Sequence, residues 1–205
     1  MTIRFHRNDL PDLARYDVEA IAIDTETLGL NPHRDRLCVV QLSPGDGSAD
    51  VVQIDRGQKK APHLVSLLRN RKVTKIFHYA RFDLAVLSNA FGAMPQPVFC
   101  TKIASRLTRT YTDRHGLKDI CAELLGVPLS KAQQSSDWAA EILSAEQLEY
   151  AASDVLHLHA LREALVGRLA REGRTAEAEA CFRFLPTRAR LDLMGWGEED
   201  IFAHS

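Results

Sequence analysis

The sequence predicts an α/β fold, a mixed sheet flanked by helices, and three observations carry that reading. Residues 20–23, Ala-Ile-Ala-Ile, form an apolar run of the kind that makes a strand buried on both faces. Two more β-rich runs follow at short spacing, and from residue 63 onward helical patterns dominate. One strand pattern, 73–77, is set between helices. Strands first and helices afterwards bury their apolar faces together when the helices pack around one sheet.

Taken in order, residues 2–6 read as a short strand, and Asn8-Asp9-Leu10-Pro11 is a turn or helix-start signal. After the run at 20–23, Asn31-Pro32 breaks the chain. Residues 37–42 and 50–54 are short strands separated by the turn Pro44-Gly45-Asp46-Gly47. Tight connections between successive strands imply an antiparallel meander. Residues 63–69 read as helix, 73–77 as strand, and 80–91 as an amphipathic helix that Gly92, Pro95 and Pro97 end. A short strand at 98–100 leads into a helix from Thr101, and a helix over 116–125 stops at Gly126-Val127-Pro128. Residues 128–143 are polar and irregular and read as a mobile flap. Trp138 within it reads as an anchor to the body, with base stacking as the alternative. Ser144 N-caps a long helix to about residue 171, and a last helix over 174–184 is closed by Pro186.

Length suits one domain over residues 1–205, with a core at about 18–170 and a helical extension at about 174–205. The 26 basic and 27 acidic residues nearly cancel, which disfavours a sequence-independent grip on long nucleic acid. Cys38, Cys100, Cys121 and Cys181 are far apart and form no CxxC pair, so they read as reduced, buried thiols in a cytoplasmic protein. No apolar run approaches membrane-spanning length, and no membrane partner is expected.

The chemistry sits on acids at element ends. Asp24 and Glu26 close the first buried strand and, at i and i+2, leave the same face. Two converging acids need a proton, an arginine or a cation, though a solvated strand end accounts for this pair alone. Asp83 falls in the first turn of the helix at 80–91, where the helix dipole by itself favours an acid. Tyr150 and Asp154 are i and i+4 on the long helix, beside an apolar stripe where an unpartnered acid is awkward. A Tyr–Asp pair at the core margin is the plainer account of those two.

Together these segments resemble the DEDD superfamily of 3′–5′ exonucleases, in its tyrosine-bearing, ribonuclease D-like branch. DTETLGLNP around Asp24 and Glu26, FHYARFDLAVL around Asp83, and YAASDVLHL around Tyr150 and Asp154 agree in order, spacing and flanks. The resemblance implies a ribonuclease H-like fold and two divalent metal ions, Mg²⁺ or Mn²⁺, held by Asp24, Glu26, Asp83 and Asp154. Hard ions of this kind suit an all-oxygen site. The resemblance also implies that Asp24 bridges both ions and that Tyr150 orients the attacking water.

Size and motif set are similar to the nanoRNase C group, which acts on oligoribonucleotides and dinucleotides. The expected substrate is therefore short single-stranded RNA with a free 3′ end, released as nucleoside 5′-monophosphates. The few residues after the homologous region and the near-zero charge are read the same way. A broader exonuclease on longer RNA or DNA, and a non-catalytic oligonucleotide-binding domain, are the alternatives. Leu30 matches a leucine that wedges between the last two bases in related oligoribonucleases. His78 and Phe82 flank the second motif as candidate substrate contacts. Arg81, Arg106, Arg109 and Arg114 are read as solvated, with contact to the substrate backbone as the alternative. Leu191, Leu193, Met194, Trp196, Ile201 and Phe202 give the C-terminus a high apolar share. With the resemblance, that implies a homo-oligomer, an octameric ring.

Overall fold

The structure, a computed structural model, describes residues 2–130 and 132–204. Its centre is β2 (Ala20–Thr27), buried over its apolar half as the run at 20–23 requires. β3 (Leu37–Ser43) and β4 (Ser48–Gln53) continue from it as the expected antiparallel meander. On the other side, β5 (Thr74–Phe77) and β6 (Val98–Cys100) add in parallel. β1 (Thr2–Arg7) closes the far edge parallel to β4, so the sheet order is β1-β4-β3-β2-β5-β6.

The parallel β1–β4 pair is fastened by buried Asp50. Its carboxylate accepts from Arg4 Nε at 2.8 Å, His6 Nε2 at 2.7 Å and the Tyr16 hydroxyl at 2.7 Å. These donors hold Asp50 below the usual carboxylate range although burial opposes them.

Helices α1 (Pro62–Arg69), α2 (Ala80–Phe91), α3 (Thr101–Thr108) and α4 (Leu117–Leu125) follow the expected positions. Two expectations are corrected. The long helix is two: α5 (Ala145–Leu156) and α6 (Leu158–Arg171) meet at His157, whose φ of −101° and ψ of −5° end one and begin the other. The break lets α5 pack across β1 to β4 while α6 reaches β2, β5, α3 and α4, two directions one straight helix could not follow. No glycine or proline marks it. The last helix, α7 (Thr175–Leu191), runs through Pro186 rather than stopping there. Pro186 gives up one backbone hydrogen bond, and the helix continues because Phe182, Leu185 and Ala189 bury themselves along it.

Three smaller differences concern side chains. Cys38, Cys100 and Cys121 are buried, but Cys181 is exposed. Arg109 is buried rather than solvated and pairs with Glu123. Arg81 forms a two-pronged pair with Asp192 at 2.6 and 2.8 Å, which ties the C-terminal segment to α2. Trp138 is 2% exposed, the anchor that the sequence suggested. Among the described residues, no helix is long and apolar enough to cross a membrane.

Candidate active site

Asp24 and Glu26 lie at the end of β2, where the pairing with β3 shifts register between Glu26 and Thr27. A bulge at a strand end bends the chain and re-aims its side chains. α5 crosses this end and brings Asp154, so that one oxygen each from Asp24, Glu26 and Asp154 lie within 4.8 Å of one another. Asp83 arrives by a different route. Tyr79 takes a left-handed conformation, φ +73°, at the junction of β5 and α2, and the helix then starts sharply. Asp83, in the first turn, is buried and accepts from the Thr25 hydroxyl at 2.7 Å. Thr25 leaves the opposite face of β2 from its two acidic neighbours, so Asp83 is fixed from behind them.

The electrostatics of this cluster are unusual for surface acids. Burial, then the charges of Asp83, Asp154 and Glu26, push Asp24 well above the usual carboxylate range. Burial and the charges of Asp154 and Asp83 push Glu26 up to about 9. Burial also lifts Asp83 to about 7, against the Thr25 hydrogen bond. Asp154 rises to about 7 by burial, against the Tyr150 hydroxyl. The Tyr150 phenol is itself raised by burial and then by the Asp154 carboxylate, so it stays protonated near neutrality. Like charges this close do not all ionise unless a cation neutralises them.

No lysine, arginine or histidine forms an ion pair with any of the four acids among the described residues. The donor set is carboxylate oxygen throughout, which fits Mg²⁺ or Mn²⁺ and does not suit thiophilic metals.

Asp24, Glu26 and Asp154 open into a groove of about 280 Å³, walled by His78, Lys102, Lys118, Ser130, Gln134 and Tyr150 among others, whereas Asp83 lies behind it and does not line it. In His78, Nδ1 lies 2.9 Å from the Thr101 hydroxyl, which itself donates to the Phe77 carbonyl at 3.2 Å. The ring therefore donates through Nδ1 and presents a bare Nε2, which has no partner among the described residues. Burial drops His78 to about 3, so the ring is neutral. Leu30 and Phe82 do not line this groove. They meet in a neighbouring one of about 850 Å³, together with Tyr79 and Arg81. Leu30 is 85% exposed and thus no core residue, whereas Phe82 is half-buried against the core.

Among the residues around the acids that escaped the sequence reading are Lys102, Tyr79 and Gln41. Lys102 sits at the start of α3 and lies 4.4 Å from the Tyr79 ring centroid. Gln41 is wholly buried opposite Asp24, with Nε2 3.4 Å from its carboxylate. A glutamine inside an apolar β3 was the visible signal for that one. For Lys102 and Tyr79 there was none.

A family model described as 3′–5′ exonuclease matches residues 10–170, which include all four acids and Tyr150. The chain belongs to the 3′–5′ exonuclease family. Within it the chain is of the ribonuclease D and NrnC type. Ribonuclease D of Acidiphilium cryptum is 40% identical over 157 residues, covering 75% of this chain and 39% of that protein. The chain thus spans about two fifths of the length of the curated ribonucleases D it matches. Brucella melitensis NrnC with bound Mg²⁺ is 75% identical with a TM-score of 0.97, covering 100% of both chains. The same protein bound to pGG is 76% identical with a TM-score of 0.98 and the same coverage. Escherichia coli RNase D is 29% identical with a TM-score of 0.76, covering 86% of this chain and 46% of that one. The mixed sheet flanked by helices is the ribonuclease H-like fold of this exonuclease family.

Proposed function

We propose that the chain is a metal-dependent 3′–5′ exoribonuclease that degrades short oligoribonucleotides and dinucleotides to nucleoside 5′-monophosphates. The observation that carries this reading is the full-length likeness to NrnC, one of whose structures holds pGG.

Asp24, Glu26, Asp83 and Asp154 would hold two divalent ions, Mg²⁺ or Mn²⁺. Such ions supply a water of lowered pKa and stabilise charge on the attacking and leaving oxygens. The chain's own groups do the rest. Tyr150, neutral at working pH, orients the attacking water through its hydroxyl oxygen and is too weak an acid to ionise and act as the base. The terminal phosphodiester accepts the attack in line. Its bond to the 3′-oxygen of the preceding nucleotide breaks, that oxygen takes up a proton, and the phosphate stays on the 5′ side of the released nucleotide. Lys102 and Lys118 offer positive charge to the phosphate from the groove wall. The exposed Leu30 would slip between bases, and its lining a groove with Phe82 supports that role. His78 offers the bare Nε2 as an acceptor.

Residues 1–205 act as one catalytic unit, the extension from α7 onward being fastened to α2 through Arg81 and Asp192. The unit works as a homo-oligomer, an octameric ring. Exposed Met194, Ile201 and Phe202 support a subunit contact.

The deciding experiment compares turnover on RNA of two, five and twenty nucleotides and on matching DNA, with EDTA and with added Mn²⁺. Fastest turnover on the dinucleotide RNA, abolished by EDTA, is the expected result. Preference for the long strand would favour the ribonuclease D-like reading instead. Tight binding without turnover in Mn²⁺ would favour a binding domain.

A further inference from the structure

We propose that residues 136–147 form a strap that fixes the ring of Tyr150 for catalysis, with Trp138 and Gln147 as its positioning residues. The proposal rests on the reading of Tyr150 as the group that orients water.

Tyr150 borders the open groove, so its phenol needs support from the protein side to hold one direction. Trp138 gives that support. Its ring centroid is 6.0 Å from that of Tyr150, at an interplanar angle of 41°. Tilted contacts of this spacing are favourable between aromatic rings. Trp138 is also the one buried residue between 131 and 142 among the described residues. Around it lie Val39, Val51, Leu143 and Ala151, a small cluster distinct from the main core. Among the described residues the buried indole N–H has no acceptor. Ring contact rather than a hydrogen bond therefore keeps the indole in place, and its backbone must be held by something else.

Two amides hold it. Gln147 lies three residues before Tyr150 on α5, on the same side of the helix. Its Oε1 accepts from the Ser144 N–H at 2.9 Å and completes the capping box. Its Nε2 donates to the Ser136 hydroxyl at 2.7 Å and to the Asp137 carbonyl at 3.1 Å. One side chain thus joins the helix start, the strap and the turn that carries Tyr150. From β4, Gln53 Nε2 donates to the Ala140 carbonyl at 2.7 Å and closes the other end. Upstream, Ser130 and Gln134 line the acid groove. The segment is a wall of the site on one side of Trp138 and a brace for Tyr150 at it.

The strap acts on water placement and not on cation binding, which separates it from the carboxylates. Trp138→Leu removes the aromatic face. Gln147→Glu keeps the cap acceptor and removes the two donors to the strap. Each is expected to lower kcat on pGG by about 10–100-fold, within the range for misplaced catalytic groups. KM and Mn²⁺ affinity by calorimetry should stay within about twofold, because those interactions are untouched. Trp138→Phe keeps an aromatic face, deletes the orphaned N–H, and should retain activity within about threefold. The decisive comparison repeats both substitutions in a Tyr150→Phe background. There, with no hydroxyl to aim, each should cost less than about threefold, the signature of coupling through Tyr150. Equal losses in both backgrounds, or a loss carried by KM or Mn²⁺ affinity, would overturn the strap. Unchanged kcat in Tyr150→Phe alone would overturn the role of Tyr150 itself, and the strap with it. Should Trp138→Leu fail to fold, Gln147→Glu carries the same comparison.

Discussion

Cation binding to the acid cluster should expel protons, and their number can be worked from the site. At pH 7.5 in the cation-free protein, Glu26, lifted to about 9, still holds its proton, and Asp24 is raised well above its usual range by burial and the neighbouring acids. Asp83 and Asp154, at about 7, are mostly ionised. Of the other groups lining the groove, His78 and Tyr150 do not compete in this window. His78, at about 3, is neutral, Tyr150 is raised, and Lys102, lowered by burial and Arg106, faces the cluster with Lys118. Saturation with Mn²⁺ requires every carboxylate ionised, so on the order of one to two protons should leave per chain at pH 7.5. The release should fall to about half a proton from Glu26 near pH 9 and vanish only well above it.

The same shifts fix the sign for stability. A carboxyl raised in the folded state contributes most below its unfolded value near 4, and that contribution is lost as pH rises through its folded value. For Asp154 alone the rise from about 4 to about 7 corresponds to roughly 4 kcal/mol. Without cation, Tm should therefore fall from about pH 4.5 to 9, and Mn²⁺ should restore it more strongly at the upper end. Titration calorimetry of Mn²⁺ in phosphate, HEPES and Tris buffers measures the release as the slope of observed enthalpy against buffer ionisation enthalpy. A slope of zero at pH 7.5 would refute the reasoning.

Other expectations follow from individual contacts. Tyr150→Phe should lower kcat at least about tenfold with Mn²⁺ affinity nearly intact, whereas Asp24→Ala and Asp154→Ala should lose both, as steady-state kinetics and calorimetry will show. Asp50→Ala strands Arg4, His6 and Tyr16 and should cost about 3 kcal/mol in urea unfolding, with kcat of the folded protein unchanged. Because Asp50 is held low, its contribution should be present above about pH 4 and fade below it, which melting curves of the variant and the parent can separate. Ile201→Ser with Phe202→Ser should reduce the molar mass seen by light scattering while leaving Asp192 on Arg81. A deletion from residue 191 would remove Asp192 as well and confuse assembly with the support of α2.

What could be read from the sequence was whatever has a strong local signature. An apolar run ending in Asp24 and Glu26, an acid in the first turn of α2, and a Tyr–Asp pair one turn apart each announce their element and face. That Asp24, Glu26 and Asp154 meet was expected only through the family resemblance that the three segments carry together. The register of β1 against β4 did not, since a short half-exposed strand pairs by long-range contacts that no local pattern encodes. Nor did the break at His157 or the passage of α7 through Pro186. In both, tertiary packing outweighs local preference, keeping a helix where proline would end it and dividing one where nothing forbids it.

The support of the site was hidden for a related reason. Gln41 beside Asp24, Gln147 behind Tyr150 and Gln53 on the strap are all buried, and each donates through its Nε2 to the site or its wall. Glutamine is ordinarily a surface residue, so a pattern of exposed and buried positions passes over it. Yet an amide can donate to a carboxylate or a carbonyl without adding charge. Beside four acids that already repel one another, a lysine brace would compete with the cation for their charge. An aspartate would add to the repulsion. A neutral donor fixes geometry and leaves the charge of the cluster free to be balanced by metal, which is why the braces of this site are amides and its ligands are acids.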